Sequence, residues 1–148
     1  MMNPKTELAD RLKVCLASTF AFYLKAHNFH WNVEGPNFPQ YHALFETIYT
    51  ETWEAVDAIA EHIRTLDAYA PGSLARFASI SVVQDQINIP TANKMLLELE
   101  IDNNKIIDEL KKTYVVAEKQ DMIGLSNFIQ DRIDIHAKHG WMLRATGK

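Results

Sequence analysis

The sequence predicts an all-α fold, a bundle of four helices of about 20–30 residues with one long crossover. Two observations carry that prediction. Apolar residues recur at three- and four-residue steps along most of the chain, the period of an amphipathic helix. The 5 Gly and 5 Pro of the 148 residues are few, and most of them fall in short stretches between the periodic segments. With 47% apolar and 23% charged residues, the composition is that of an ordinary globular chain, sized for one hydrophobic core.

The first segment carries Leu8, Leu12, Cys15, Leu16, Thr19, Phe20, Tyr23 and Leu24 as one apolar stripe, after a short tail over about residues 1–6. Glu34-Gly35-Pro36-Asn37 ends it, because proline pushes its predecessor out of the α region. From Pro39 to beyond Leu66 the period resumes, with Leu44, Phe45, Ile48, Trp53, Val56, Ile59, Ala60 and Ile63 set among acids. Pro71-Gly72-Ser73 closes it. Residues 71–90 are less regular, and Phe77, Ile80, Val82 and Val83 fit a short helix or an extended piece within the crossover. Pro90-Thr91 starts a third long helix bearing Met95, Leu96, Leu99, Ile106, Ile107, Leu110 and Tyr114. After a break at Lys119–Asp121, a fourth runs from Ile123 to Leu143 with Phe128, Ile129, Ile133 and Trp141. No repeat or linker divides the chain, so residues 1–148 read as a single domain.

Several function classes are disfavoured at this level. The longest apolar run, Val14 to Leu24, is about half the ~20 residues of a bilayer span, and Glu7 and Asp10 sit where a signal peptide would be apolar. A lone cysteine, Cys15, makes no internal disulfide and suits a reducing compartment. The net charge of −4 gives no bulk attraction to nucleic acid or anionic lipid. A soluble cytoplasmic protein is the expectation.

The chemistry concentrates between Lys25 and Arg64. This interval contains no Lys or Arg but holds six carboxylates (Glu34, Glu46, Glu51, Glu54, Asp57, Glu61) and four of the six histidines (His27, His30, His42, His62). Carboxylates on a helix usually form a solvated face, but such faces normally intersperse basic residues. Imidazoles and carboxylates without a competing ammonium suit a divalent transition metal such as Fe(II), Mn(II) or Zn(II). At ~100° per residue, His42, Glu46, Asp57 and Glu61 share one arc ~100° wide, yet ~22 Å of helix separates His42 from Asp57. They form two half-sites, each an i,i+4 pair. The halves lie symmetrically about residues 51–52, so an antiparallel copy of this helix would face each histidine half with a carboxylate half, as in an isologous dimer. No histidine has a glutamate three residues before it, so the Glu-x-x-His pairs of an intra-bundle di-iron centre are missing.

Lys25-Ala-His27-Asn-Phe-His30-Trp31-Asn32-Val33-Glu-Gly35-Pro-Asn-Phe38, His42-Ala-Leu-Phe45-Glu46, Asp57-Ala-Ile-Ala60-Glu61 and His136-Ala-Lys138-His-Gly-Trp141-Met-Leu-Arg144 together resemble the Dps family of mini-ferritins over essentially the whole chain. The resemblance implies a ferritin-like four-helix bundle with a short extra helix in the long central crossover, assembled as a hollow dodecameric shell. It implies Fe(II) oxidation, preferably by hydrogen peroxide rather than dioxygen, and ferric storage inside. His30, His42 and Glu46 of one chain and Asp57 and Glu61 of its neighbour would be the catalytic metal ligands, with Zn or Mn as surrogate occupants. Trp31 would be a candidate electron donor, and Glu118 and Asp121 would border an acidic iron-access pore. This chain departs from the family in three places. His62 stands where Arg usually follows the last glutamate, Glu46 where Asp is also common, and Ile123 and Asn127 make the pore border less acidic.

The other singled-out residues have plainer readings. His27 fits an auxiliary ligand or a surface or interface role. His136 and His139 resemble a metal pair without an acidic run around them, which favours packing near Trp141. Cys15 falls on the apolar stripe as a core residue. Against ferroxidation and storage stands a DNA-compacting structural role, which would make the protein nucleoid-associated. DNA affinity comes mainly from phosphate neutralisation, and the termini offer only Lys5, Arg144 and Lys148, so DNA binding should be weak or absent. A shell that takes up zinc without oxidation is a third reading.

Overall fold

In the computed structural model, which describes residues 3–148, helix α1 (Pro4–Asn32) begins where Asn3 accepts a hydrogen bond from the Lys5 amide. Such a cap satisfies one of the orphan amides of a helix start, and Pro4 loses nothing at the first helical position. The helix therefore takes up residues 4–6 of the segment expected as a tail, while Met1 and Met2 lie outside the described residues. Helix α2 (Phe38–Thr65) follows a turn through Gly35, whose φ of 125° favours glycine. The crossover carries the short helix α3 (Leu74–Ile80), capped by Ser73. Thr91 caps α4 (Ala92–Lys119), and a turn with Asp121 at positive φ leads into α5 (Ile123–Thr146). All elements of the described residues are helical.

Pairings between helices set the topology. Cys15 meets Thr113 and Lys25 meets Asp102, so α1 and α4 run antiparallel. His30 meets His42, Glu51 meets Arg132, and Asn103 meets His136, which makes α1–α2, α2–α5 and α4–α5 antiparallel too. Helices α2 and α4 are therefore parallel. The chain between them must return along the length of α2, ~42 Å for 28 residues, which is why the crossover is long.

One contiguous core fills the bundle, with Leu8, Leu12, Phe22, Phe29, Phe45, Ile48, Ile59, Ile63, Met95, Leu99 and Ile106 fully buried. Two details of the expected stripes are corrected. In the second half of α1 the core residues are Phe22, Ala26 and Phe29, while Phe20 and Tyr23 are half-buried and Leu24 is exposed. A 3.6-residue period walks around a straight helix, and α1 touches α2, α3 and α4 on different sides. Trp53 is 53% exposed rather than core, since Thr52 and Ala55 take the inward positions there. Cys15 is fully buried 3.3 Å from Thr113 Oγ1, and burial raises its thiol to about 12. Among the described residues no helix is long and apolar enough to cross a membrane.

Candidate metal centre

The end of α1 and the start of α2 bring His30 and His42 face to face. Their rings stack at 3.7 Å between centroids and 14° between planes. Each Nδ1 lies 2.7 Å from the other residue's backbone oxygen. The His30 carbonyl belongs to the last turn of α1, where helix carbonyls lack intrahelical partners, so the imidazole of His42 satisfies it. A carbonyl oxygen can only accept, so both Nδ1 atoms carry hydrogen, and Nε2 is the ring nitrogen each residue has left to face a metal ion. A bond of this kind at the remote ring nitrogen orients a metal-binding imidazole and fixes its tautomer. Phe38 covers the far face of His42 at 4.8 Å, and the ring of Tyr49 meets His30 edge-on at 5.1 Å. His30 is 8% exposed and His42 is half-buried.

Glu46 is exposed one turn beyond His42, and the Tyr49 hydroxyl reaches it at 3.5 Å. About three and four turns further along the same helix, Asp57 and Glu61 lie exposed. A hydrogen bond with Asp57, reinforced by its negative charge, raises the Glu61 carboxyl above the ordinary value. Two acids with no cation between them are held one turn apart. The core side of α2 is Tyr41, Phe45, Ile48, Thr52, Ala55, Ile59 and Ile63, so the predicted ligands occupy its outward arc. The subunit thus joins His30 to His42 and Asp57 to Glu61 but does not bring the two pairs together. Among the described residues no three His, Cys, Asp or Glu gather closely enough to hold a metal ion.

The remaining histidines fall elsewhere. His27 is sandwiched between Tyr49, stacked at 3.8 Å, and the indole of Trp31 at 4.1 Å. Trp31 itself is 59% exposed. His62 lies against Phe128 at 4.5 Å, and burial lowers its imidazole below the ordinary value. Glu118 and Asp121 are exposed at the end of α4 and in the following turn, where the Asp121 amide donates to the Glu118 carbonyl at 3.0 Å.

His136 and His139 depart most from expectation. Trp141 is largely exposed and does not shelter them; both are buried at the bundle centre, and the carboxylate that sequence spacing did not supply arrives from α2 as Glu51. Arg132 forks onto both Glu51 oxygens and donates to His136 Nε2 at 2.9 Å. His136 Nδ1 then donates to Asn103 Oδ1 at 2.8 Å, and His139 Nε2 donates to Glu51 Oε1 at 2.8 Å. Burial pushes the Glu51 carboxyl up, but the hydrogen bonds from His139 and Arg132 outweigh it and hold the group at about 2. Burial, with the charge of Arg132, keeps His136 well below its ordinary value and neutral. Glu51 is therefore part of an ion-paired core rather than of the outward acidic arc. A second buried pair joins Lys25 Nζ to Asp102 at 2.7 Å. Neither network was legible in the sequence, since each unites residues far apart along the chain.

Comparison with known proteins places the chain in a family. The chain matches the ferritin-like domain over residues 9–147. It is 33% identical over 139 residues to DNA protection during starvation protein 2 of Bacillus anthracis, covering 94% of this chain and 95% of that protein. The crystal structure of a Dps protein from Bacillus brevis superposes with a TM-score of 0.94 at 29% identity, covering 100% of both chains. A Dps protein from Vibrio cholerae O1, described as a member of a broad superfamily of ferritin-like diiron-carboxylate proteins, superposes with a TM-score of 0.93 at 27% identity, covering 98% of this chain and 91% of that one.

Proposed function

The chain belongs to the Dps family of ferritin-like proteins, and from that premise we propose that it is an iron-storing mini-ferritin whose subunits oxidise Fe(II) at sites shared across a two-fold axis. The observation that carries this reading is the His30–His42 pair, each ring held by its Nδ1 so that Nε2 is left for a metal, with His42 on the same outward arc of α2 as the unneutralised Asp57–Glu61 pair. A two-fold copy of α2 would set His30, His42 and Glu46 of one subunit opposite Asp57 and Glu61 of the next. The imidazoles would hold Fe(II) at moderate affinity through Nε2, and the carboxylates would favour the ferric product through their charge. Zn(II) and Mn(II) would occupy the same donors as surrogates.

Hydrogen peroxide is the proposed oxidant, with dioxygen as the alternative. Two Fe(II) ions give one electron each, peroxide accepts both, and its O–O bond breaks to two hydroxide ions. No odd electron is left to make hydroxyl radical, so protection from oxidative damage follows from the stoichiometry. The ferric ions hydrolyse and collect within a dodecameric shell, reached through a pore bordered by Glu118 and Asp121. The setting is cytoplasmic, without a membrane partner. DNA compaction is the alternative function, and the sparse basic residues of the termini weigh against it.

Complementation tests the shared site. One subunit carries His30→Ala and His42→Ala, the other Asp57→Ala and Glu61→Ala, and each alone should form inactive shells. In a mixed two-fold dimer one site collects all the lesions and the other is intact. Half of randomly formed dimers are mixed, so co-assembled shells should recover about a quarter of the wild-type rate of ferric formation. Persistent inactivity in verified mixed shells would refute the inter-subunit site.

A further inference from the structure

We infer that the bundle centre is a divalent-metal site with a built-in cation: the guanidinium of Arg132 stands where Glu51, His136 and His139 would otherwise hold an ion. The ferroxidase reading uses none of these residues, and the inference does not rest on it. Two imidazoles and one carboxylate gather around the guanidinium from two helices. Its Nη2 lies 2.9 Å from His136 Nε2 and 3.1 Å from Glu51 Oε1. His139 Nε2 meets the same Glu51 oxygen at 2.8 Å. Arg132, His136 and His139 sit at i, i+4 and i+7 on α5, which stacks them on one face, and Glu51 reaches them from the middle of α2. Imidazole with carboxylate is a donor set for Zn(II), Co(II) or Fe(II).

The imidazoles are prepared for a metal. Asn103 Nδ2 donates to the His136 carbonyl at 2.8 Å, which turns its Oδ1 towards His136 Nδ1, also at 2.8 Å. Nδ1 therefore carries the hydrogen, and the Nε2 lone pair points at Arg132, which can only donate. An oxygen holding the remote ring nitrogen is how metal-binding imidazoles are oriented. His139 gives its Nε2 hydrogen to Glu51, while its Nδ1 is buried without a partner among the described residues. Moving that hydrogen to Nδ1 frees Nε2 and breaks no bond at Nδ1. Phe22 seals the cluster from α1, its ring edge-on to His136 at 5.9 Å.

Arg132 excludes a metal by size and by charge. Around the guanidinium the three donors gather too loosely for an ion, since metal–ligand bonds to nitrogen and oxygen run to only about 2.0–2.2 Å. Once it is gone, His136 and Glu51 need to close by about 1 Å each; the Glu51 side chain is partly exposed and has room to move, and His139 already lies against it. The guanidinium also matches one carboxylate with one positive charge, and so leaves nothing to draw a second cation. Divalent ions are thereby denied the centre of the subunit.

The test uses the full-length protein carrying His30→Ala, His42→Ala, Asp57→Ala and Glu61→Ala, so that the outward donors contribute nothing, with Co(II) as the probe. In this parent, with Arg132 intact, Co(II) should neither shift the urea midpoint nor give the intense visible absorption of a four- or five-coordinate, nitrogen-bound ion. Arg132→Ala clears the position. Arg132→Glu also supplies a second carboxylate, which makes the buried ion and its ligands neutral overall. Each should bind one Co(II) per subunit and unfold at higher urea with Co(II) than without, and Arg132→Glu should bind the more tightly. Adding His139→Ala to Arg132→Glu should weaken binding by about tenfold or more. A variant that folds poorly alone should refold from urea once Co(II) is present, because metal binding then adds to folding. Binding by the parent equal to that of the variants would overturn the inference. So would absorption that survives both His136→Ala and His139→Ala, or variants that stay unfolded or colourless in Co(II).

Discussion

Replacing Arg132 by alanine should be among the most damaging single changes to the fold. The guanidinium is 4% exposed, forks onto both oxygens of Glu51 and donates to His136 Nε2. Removing one partner of a buried ion pair costs about 3–5 kcal/mol, because the remaining charge stays desolvated without compensation. Glu51 keeps His139 and its side chain is 28% exposed, which moves the cost towards the lower end of that range. An acceptor left bare at His136 adds about 1 kcal/mol. The expected loss is therefore about 3–4 kcal/mol. Urea unfolding followed by circular dichroism would measure it at one fixed subunit concentration, since assembly makes apparent stability concentration-dependent. Glu51→Ala and the double substitution complete a cycle whose coupling energy should reach about 2 kcal/mol. A loss below about 1 kcal/mol, or two substitutions additive to within about 0.5 kcal/mol, would refute the account of this network as a mutually dependent unit.

Acid should weaken the same network in two stages. Below pH 6.5 the unfolded chain protonates His136 while the folded chain keeps it neutral, so stability falls with pH from there. The contribution of Glu51 is fully present above its ordinary value of 4.5 and is lost towards about 2; urea midpoints that stay constant from neutral pH to about pH 3 would contradict both signs. Cys15, buried with its thiol raised to about 12, should resist iodoacetamide in the native protein and react in urea, as read by mass spectrometry; modification at the same rate in both would show the packing to be wrong. Gly35→Ala meets no atom within 4 Å but keeps a φ of 125°, so strain alone should cost about 1–3 kcal/mol, measured by the same unfolding assay. DNA retardation should be weak and vanish with modest salt, whereas a Lys-rich N-terminal extension should create it; tight, salt-resistant shifts by the unaltered protein would reverse that expectation.

The helices were legible because their signals are local. Pro90-Thr91 marks the start of α4, and Gly35 with Pro36 interrupts the first helix where the turn is needed, whereas the Asn3 cap that draws residues 4–6 into α1 went unread in a segment expected as a tail. Seven residues are too few to display a helical period, so the sequence does not separate the short helix α3 from an extended piece. Trp53 and Leu24 match the apolar period yet face outward, because hydrophobicity marks a surface to be covered without saying whether the cover is the subunit's own core or another body. Phe22 was passed over in α1 because a helix contacted on three sides has no single apolar stripe to follow.

The site divides along the same line. Spacing on α2 alone located His42, Glu46, Asp57 and Glu61 on one arc, since helix geometry converts residue number into direction. What makes His30 and His42 competent donors, the exchange of Nδ1 hydrogens for each other's carbonyls, belongs to the meeting of two helix ends and has no one-dimensional signature. Glu51 illustrates the converse. In sequence it is one more acid in a run without cations, but its cation stands 81 residues away on α5. The lack of Lys and Arg between residues 26 and 63 therefore has two different consequences. Facing inward it leaves Glu51 to be neutralised by Arg132 and His139, which locks α2 to α5. Facing outward it leaves Asp57 and Glu61 with no cationic partner among the described residues. A carboxylate pair of that kind is electrostatically incomplete until a cation arrives, and that incompleteness is why the outward arc, rather than the already neutralised His136 and His139 at the bundle centre, is the proposed place for iron.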